Sequence, residues 1–326
     1  QQGDTIQDTT ELVFVDLPEL PFAGTMEVKS FHGEKVIETN FLSDHHHLTF
    51  EDTTITFQES LDKSRLHVEA HHGSQFTPPY VENWIAEALV FSTARSIQPR
   101  MVIRHFEEYA LVSIRATPNS MVSGMIPPFS SAPDTRDAFW QSFCAYLSTC
   151  KATHEFENLK MTTGFRELCL ANKGTLQGSL LSLSIYIEFC MNQLLPSVQS
   201  ENAEVIDKAR VKDFLGYVNA WSKDTAITER AIRILNQLNT PDLAAIMDVL
   251  IEKSVITEKH KKVWKAIRPT LAHGKLIDYR EEKFWHFRNY LITMMYRLMF
   301  RIIGYKGLVL EYDGSKFQYI PYEWKE

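Results

Sequence analysis

The chain has 326 residues, 44% of them hydrophobic, 12% aromatic and 23% charged, with 13 Gly and 13 Pro. That composition excludes collagen-like, low-complexity and disordered classes, and the length suits two domains that each bury a core. The net charge of −7 is spread unevenly: residues 1–130 carry 8 Lys/Arg against 18 Asp/Glu, whereas residues 258–301 carry 11 against 4.

A basic island in an acidic protein is either a site for an anion, such as a nucleic-acid backbone, or a solvated helix face. Four Cys (Cys144, Cys150, Cys169, Cys190) include no CxxC pair and are too few for a disulfide scaffold, so a reduced, cytoplasmic setting is expected. The apolar run from Leu180 to Leu195 is broken by Ser182, Ser184, Glu188, Asn192 and Gln193; it reads as a buried helix, not a membrane span. The chain opens on Gln1 without a signal-peptide pattern, and residues before it are expected to have been removed.

Residues 1–130 form the first expected domain, β-rich and suited to sensing or binding. Glu11–Leu17, Thr25–Phe31, Lys35–Phe41, Leu48–Glu59 and Leu66–Ala70 alternate with the strand period of two, and turn-like pieces such as Glu51-Asp52 punctuate them. Short, evenly spaced strands predict a β-sandwich or barrel. One helix follows Pro78-Pro79, with Val81, Trp84, Ile85, Ala88 and Leu89 at helical spacing, and Met101–Ile114 returns to strand. Thr117–Pro133, with four Pro, reads as a linker. Eight of the 12 His lie in this region, including His45-His46-His47. Consecutive strand residues face opposite ways, so at most two of those three could share a metal, and polar surface is the simpler reading. No metal and no cofactor are expected.

Residues 131–326 form the second expected domain, a helical bundle with core 175–303 and a terminal β-hairpin, giving an α+β protein overall. Helices are predicted from Asp134, from Glu155 to Leu170, from Leu176 to Leu195 (ending before Pro196), from Ala203 to Trp221, and over Ile227–Leu238, Asp242–Ile251 and Thr257–Ile267. The Leu176–Leu195 helix is apolar on nearly every face, as in a bundle centre or a subunit interface. Its only charge, Glu188, must reach water or pair with a cation. Asp278 and Glu281 fit a capping box for a last helix whose stripe is Phe284, Phe287, Leu291, Met294, Leu298 and Ile302, with Gly304 as its stop. Leu308–Tyr312 and Lys316–Ile320 read as a hairpin.

The chemistry is sought between the last two helices, in Ile267-Arg268-Pro269-Thr270-Leu271-Ala272-His273-Gly274. Pro269 disfavours the helical conformation at Arg268, and Gly274 suits a helix end. The segment is therefore predicted to break after Arg268 and stop at His273. Without a break, residues five apart stand about 140° round the axis; with one, guanidinium and imidazole can turn to the same side. Arg65, Arg100, Arg268 and Arg280 all have a His five to seven positions on, and only Arg268 combines a break, a Gly stop and basic surroundings. Such a pair suits RNA cleavage: imidazole can take the 2′-OH proton or give one to the 5′-oxygen, and guanidinium can hold the phosphate bidentately. One His cannot readily serve both ends of an in-line displacement, but two copies facing each other can. A structural turn or a non-catalytic RNA contact is the plain alternative.

The same string resembles the Arg-x4–6-His motif of HEPN domains, including the frequent Leu-Ala-His-Gly ending, over about residues 175–303. The resemblance implies a helical bundle that pairs two motifs in a homodimer to form one metal-independent ribonuclease site, with Arg268 and His273 catalytic. Pro269 stands where many active members carry a polar residue. A β-rich region ahead of such a domain is also similar in architecture to ApeA-type anti-phage defence proteins. That similarity implies an abortive-infection toxin, a phage or host trigger bound by the N-terminal domain, and RNA, tRNA among the candidates, as substrate. Lys261, Lys262, Lys265 and Lys275 would guide the phosphate backbone or simply solvate a helix, and Arg280 and His286 are auxiliary candidates. Trp264, Trp285 and Tyr279 could stack bases, though core packing accounts for them as well. The alternative function is a non-catalytic dimerisation or RNA-binding module joined to a ligand-binding β domain.

Overall fold

A computed structural model describes the chain except for residues 1–8, 16–19, 23–24, 33–34, 43–44, 61, 63, 74–79, 117–124, 131–132, 154–158, 203–207, 222–223, 238–242 and 326. The fold is α+β, an antiparallel sheet followed by helices. The strands are β1 (Thr9–Val15), β2 (Thr25–His32), β3 (Lys35–Leu42), β4 (His45–Phe50), β5 (Thr53–Glu59), β6 (Arg65–His71), β7 (Met101–His105) and β8 (Ala110–Ile114). Six of them make one antiparallel sheet in the order β4-β5-β6-β1-β7-β8, and β2 and β3 pair separately as a hairpin. The Leu48–Glu59 pattern divides at Glu51, whose φ of 54° turns the chain between β4 and β5.

Alternation sorts the sheet's side chains cleanly. Leu12 faces Val68 and Val102 across the ladders, and Phe57 faces Val68. All four are buried together with Phe14, Ile55, Leu66 and Ala70. That face is covered by α1 (Tyr80–Thr93) and α2 (Arg136–Thr153), where Phe57 meets Phe143 edge-on at 5.4 Å and Trp140 at 4.9 Å. The expected sandwich or barrel is therefore not what the described residues form. Strand alternation requires an apolar layer opposite the sheet, but not a second sheet. Here helices supply it, and every side chain of α1 from Val81 to Thr93 except Asn83 is buried.

The helical part comprises α3 (Lys160–Ala171), α4 (Leu176–Asn202), α5 (Lys208–Ala220), α6 (Thr225–Gln237), α7 (Leu243–Glu252), α8 (Glu258–Ala272) and α9 (Glu282–Ile302), then β9 (Gly307–Tyr312) and β10 (Phe317–Tyr322) as the expected hairpin. α9 is enclosed along its middle and C-terminal turns, with Tyr290–Phe300 all buried, and α4 lies along it. No helix among the described residues is long and apolar enough to cross a membrane.

Two expected helix boundaries move. α4 runs through Pro196 instead of ending before it. Proline there frees only the carbonyl of Asn192, and Asn192, Gln193 and Pro196 are all exposed, so water can take the freed acceptor. Asp278 does not cap α9. Its carboxylate accepts from the N–H of Arg280 at 3.0 Å, closing a tight turn, and the N-cap position falls to Glu281 with no side-chain cap bond. The reciprocal box occurs instead at α8, where Thr257 Oγ1 accepts from the His260 N–H and His260 Nδ1 accepts from the Thr257 N–H.

The segment expected to be a linker lies partly outside the described residues, at 117–124. Its far end is packed: Met125 and Phe129 are buried, and the Tyr296 hydroxyl donates to the Ile126 carbonyl at 2.6 Å. Phe91 of α1 ties sheet and helices to one aromatic cluster. Its ring lies 5.2 Å from Tyr146, 5.8 Å from Phe165, 6.3 Å from Tyr296 and 5.7 Å from Phe300. Below it, buried Glu87 accepts from the Leu159 N–H at 3.0 Å and from the Thr162 hydroxyl, fixing the start of α3. Replacing Phe91 with Ala removes ring contacts to three helices at once. The expected cost is about 3–5 kcal/mol, read as a lower urea midpoint in circular dichroism and in tryptophan fluorescence alike. Unchanged midpoints would show that the cluster does not join the two parts.

Candidate functional site

Arg268 and His273 both lie at the C-terminal end of α8, but they do not converge. The predicted break is absent: α8 continues through Pro269 to Ala272, and His273 is its C-cap residue, with its N–H bonded to the Pro269 carbonyl at 3.1 Å. Ile267 and Leu271 straddle the proline and are both buried, so helical continuity is what keeps the stripe on the core. Gly274, at φ 66°, then ends the helix in the left-handed conformation that glycine accepts without strain. Along this unbroken helix the two side chains stand about 140° apart round the axis.

Arg268 turns toward α4. Its Nε and Nη2 donate to the two carboxylate oxygens of Glu188, the second bond at 3.0 Å. Glu188 thus takes a cation rather than water, as one of the two readings of its sequence position required. The hydrogen bonds to the carboxylate raise the Arg268 pKa further above its ordinary value. Both side chains keep a quarter or so of their surface open, at 28% and 22%, so solvent or a ligand can reach the pair. His273 is exposed, and among the described residues its ring makes no hydrogen bond or ion pair.

The remaining candidates divide by surroundings. Lys261 is tied to Asp248 of α7. Lys262, Lys265 and Lys275 are exposed and have no ion pair among the described residues. Arg280 is exposed and lies 5.8 Å over the Tyr279 ring. His286 is engaged elsewhere, its Nδ1 within 2.5 Å of the Tyr312 hydroxyl and its Nε2 3.5 Å from Glu282. Trp264 is buried in the core, whereas Trp285 and Tyr279 remain exposed, with the Trp285 indole donating to the Tyr279 carbonyl at 3.2 Å. Open apolar side chains flank this end of the bundle: Leu276 at 87% and Ile185, one turn before Glu188, at 54%.

One structural residue escaped the sequence reading. His260, at the start of α8, is wholly buried; its Nδ1 caps the helix and its Nε2 lies 3.1 Å from Thr293 Oγ1 on α9. The only signal was its place three residues after Thr257, masked because His is not a usual capping partner. At the other end of the chain, the solvent face of the sheet holds an imidazole cluster. Glu11 accepts from His67 at 2.9 Å and from His105 at 2.5 Å, which holds the Glu11 pKa below its ordinary value against the opposing effect of burial. His46, of the His45–His47 run, stacks on Trp140 at 3.9 Å. Among the described residues no group of three His, Cys, Asp or Glu is placed to hold a metal ion. No family model, curated protein or solved structure matches the chain.

Burial, reinforced by Arg297 nearby, pushes the His260 pKa down to about 3. The folded value lies below the unfolded 6.5, so its stabilising effect is complete above pH 6.5. It is lost as pH falls toward 3, because the unfolded chain takes the proton first, at about 1.4 kcal/mol per pH unit. His260→Asn should therefore flatten the loss of stability between pH 6.5 and 4, measured as the difference in urea midpoints between wild type and variant. Parallel curves for the two proteins would contradict the assignment.

Proposed function

We propose that the chain is an endoribonuclease of the HEPN type, cleaving RNA by attack of the 2′-OH on the adjacent phosphate, and that it acts as a toxin in abortive-infection defence. Two copies build the site. The observation that carries this reading is the pairing at the end of α8 of a surface guanidinium with an unengaged imidazole about 140° away. One chain cannot bring them onto one phosphate, whereas a twofold partner can offer its imidazole to this chain's guanidinium. The exposed Ile185 and Leu276 beside them are the kind of apolar surface such pairing covers.

In this mechanism Arg268 holds the scissile phosphate through two parallel hydrogen bonds, in place of the Glu188 carboxylate, and stabilises the charge that grows on it. His273 of the second copy serves one proton transfer, accepting the 2′-OH proton in neutral form or, protonated, giving one to the departing 5′-oxygen, and water serves the other. The products are a 2′,3′-cyclic phosphate and a 5′-hydroxyl. Lys262, Lys265 and Lys275 line the approach of the backbone, and Trp285 and Tyr279 offer faces for bases. The acidic β-rich region is the sensor, and RNA is the target once a phage or host trigger binds there. A second reading has one observation in its favour: Glu188 already accepts from Nε and Nη2 of Arg268, as expected of a purely structural guanidinium in an RNA-binding or dimerisation module.

Wild-type protein incubated with total RNA and EDTA should yield 2′,3′-cyclic phosphate ends. Arg268→Ala and His273→Ala should each lose about 10² or more of that activity while melting at the wild-type temperature. Undiminished cleavage by His273→Ala would end the ribonuclease assignment to this site, and RNA binding without cleavage would favour the second reading. Mixing the two inactive variants supplies a sharper check on the shared site. Random pairing leaves one intact Arg268–His273 combination in half the dimers, so about a quarter of wild-type activity should return. No recovery on mixing would place both groups on one chain.

A further inference from the structure

The two edges of the six-stranded sheet are finished differently. The β4 edge carries His45, His46 and His47, and His46 is stacked under α2. The β8 edge is Ala110-Leu111-Val112-Ser113-Ile114, without a charge or a proline, and among the described residues it pairs only with β7. Both of its faces are open: Leu111 is 46% exposed, Val112 51% and Ile114 73%, with Tyr109 at 64% just before them. An uncharged apolar edge of this kind is a template for another strand, and proteins ordinarily blunt or cover it.

The backbone shows which groups await a partner. The Phe106 N–H donates to the Tyr109 carbonyl at 2.8 Å, and the Arg115 N–H donates to the Arg100 carbonyl at 2.9 Å. In an antiparallel ladder the direction alternates, so Tyr109, Leu111, Ser113 and Arg115 turn their N–H and C=O groups to β7. Ala110, Val112 and Ile114 turn theirs outward.

We infer that β8 pairs antiparallel with β8 of a second copy, joining two sheets into one across a twofold axis at Val112. That register sets Val112 against Val112 and Ala110 against Ile114, so every outward N–H meets an outward C=O. It also sets Tyr109, whose other face stacks on Phe106 at 4.7 Å, against the second copy's Arg115, a guanidinium 3.6 Å from Glu82 of its own chain and 38% exposed. Glu107 and Glu108 at one end of the strand then lie beside the Arg115 that ends the other copy's strand. The charge pattern is complementary to its own reverse, as a twofold contact demands, and that self-match selects a second copy over an unrelated extended peptide. A single strand pair is a small interface of the weaker class, so association belongs at micromolar concentrations. The inference is independent of catalysis at α8.

Val112→Pro tests it, because the N–H removed points away from β7 and the ladder inside the chain survives. Light scattering at high micromolar concentration should give a mass for the full-length variant about half that of wild type, with the melting temperature retained. Amide exchange adds a second measurement: in wild type, Ala110, Val112 and Ile114 should be protected as concentration rises, whereas Leu111 and Ser113 are protected at every concentration. Val112→Cys in a Cys144→Ser background should form an interchain disulfide on mild oxidation, since facing residues in such a pair stand about 5.5 Å apart at Cα. A wild-type monomer, an unchanged mass for Val112→Pro, or outward amides that exchange alike at all concentrations would each overturn it. An unchanged mass would move the contact to another surface such as α4 and α8.

Discussion

The continuation of α8 past Pro269 governs what the C-terminal bundle can do. A proline in the last turns of a helix removes one donor and crowds the carbonyl four residues back, a cost of about 3 kcal/mol or more in a helix interior. Breaking the helix here would cost more, because Ile267 and Leu271 lie on either side of the proline and both face the core. Burying two such side chains is worth about 1.5–3 kcal/mol each. The helix therefore persists, and its geometry then fixes the rest: Arg268 to the α4 side, His273 to solvent, and any site that needs both to be assembled from two chains.

The core explains why this end of the bundle is held firmly enough for such a site. α9 is buried through Tyr290–Phe300 and receives α4 along its length, α8 beside it and the β9–β10 hairpin across it. His260 bonds α8 to α9 through Thr293, and Arg297 reaches from α9 to Glu311 of β9 at 2.7 Å. α8 is thus pinned at its start by a neutral imidazole and along its length by an apolar stripe, while its last turn and the loop to α9 stay open. Phe91 joins α1, which covers the sheet, to the same core. The buried residues of the sheet and of the bundle form one continuous cluster.

Much of this was readable from residue order, and the failures have a common cause. Period-two alternation located β1, β2, β3 and β6 closely, because a side-chain flip by one residue would expose every apolar member of a strand, whereas Leu48–Glu59 and Met101–Ile114 each proved to be two strands joined by a turn. It could not say whether helices or strands cover the buried face, since both present the same apolar layer; that depends on α1, whose apolar residues occupy nearly all its faces. Pro196 and Pro269 misled because a local penalty was weighed without the tertiary terms opposing it. Asp278 misled because its carboxylate had a nearer donor in the Arg280 N–H. Glu188 was legible as a charge in need of a partner, but its choice of Arg268 over water is a property of how α4 meets α8. The Arg268–His273 spacing was legible too, whereas the direction of each side chain depended on a helix continuing where local rules stopped it.

The Glu188 pair also bears on how such a site would be kept quiet. A carboxylate and a phosphodiester each carry one negative charge and can each accept two of a guanidinium's five N–H donors. A phosphodiester taking the Nε–Nη2 edge of Arg268 would displace Glu188 in a nearly balanced exchange that leaves the carboxylate beside a like charge. In the proposed function the drive to bind RNA would come from elsewhere: from Lys262, Lys265 and Lys275, whose contacts would release counterions from the backbone, and from aromatic faces such as Tyr279. A short or misplaced RNA that reaches only Arg268 gains almost nothing. One that spans the lysines as well can pull the guanidinium from Glu188 and, with a second chain in place, meet an imidazole there. In the proposed ribonuclease the acidic residue on α4 would set the threshold for the site, and a trigger that brings two chains together would lower it.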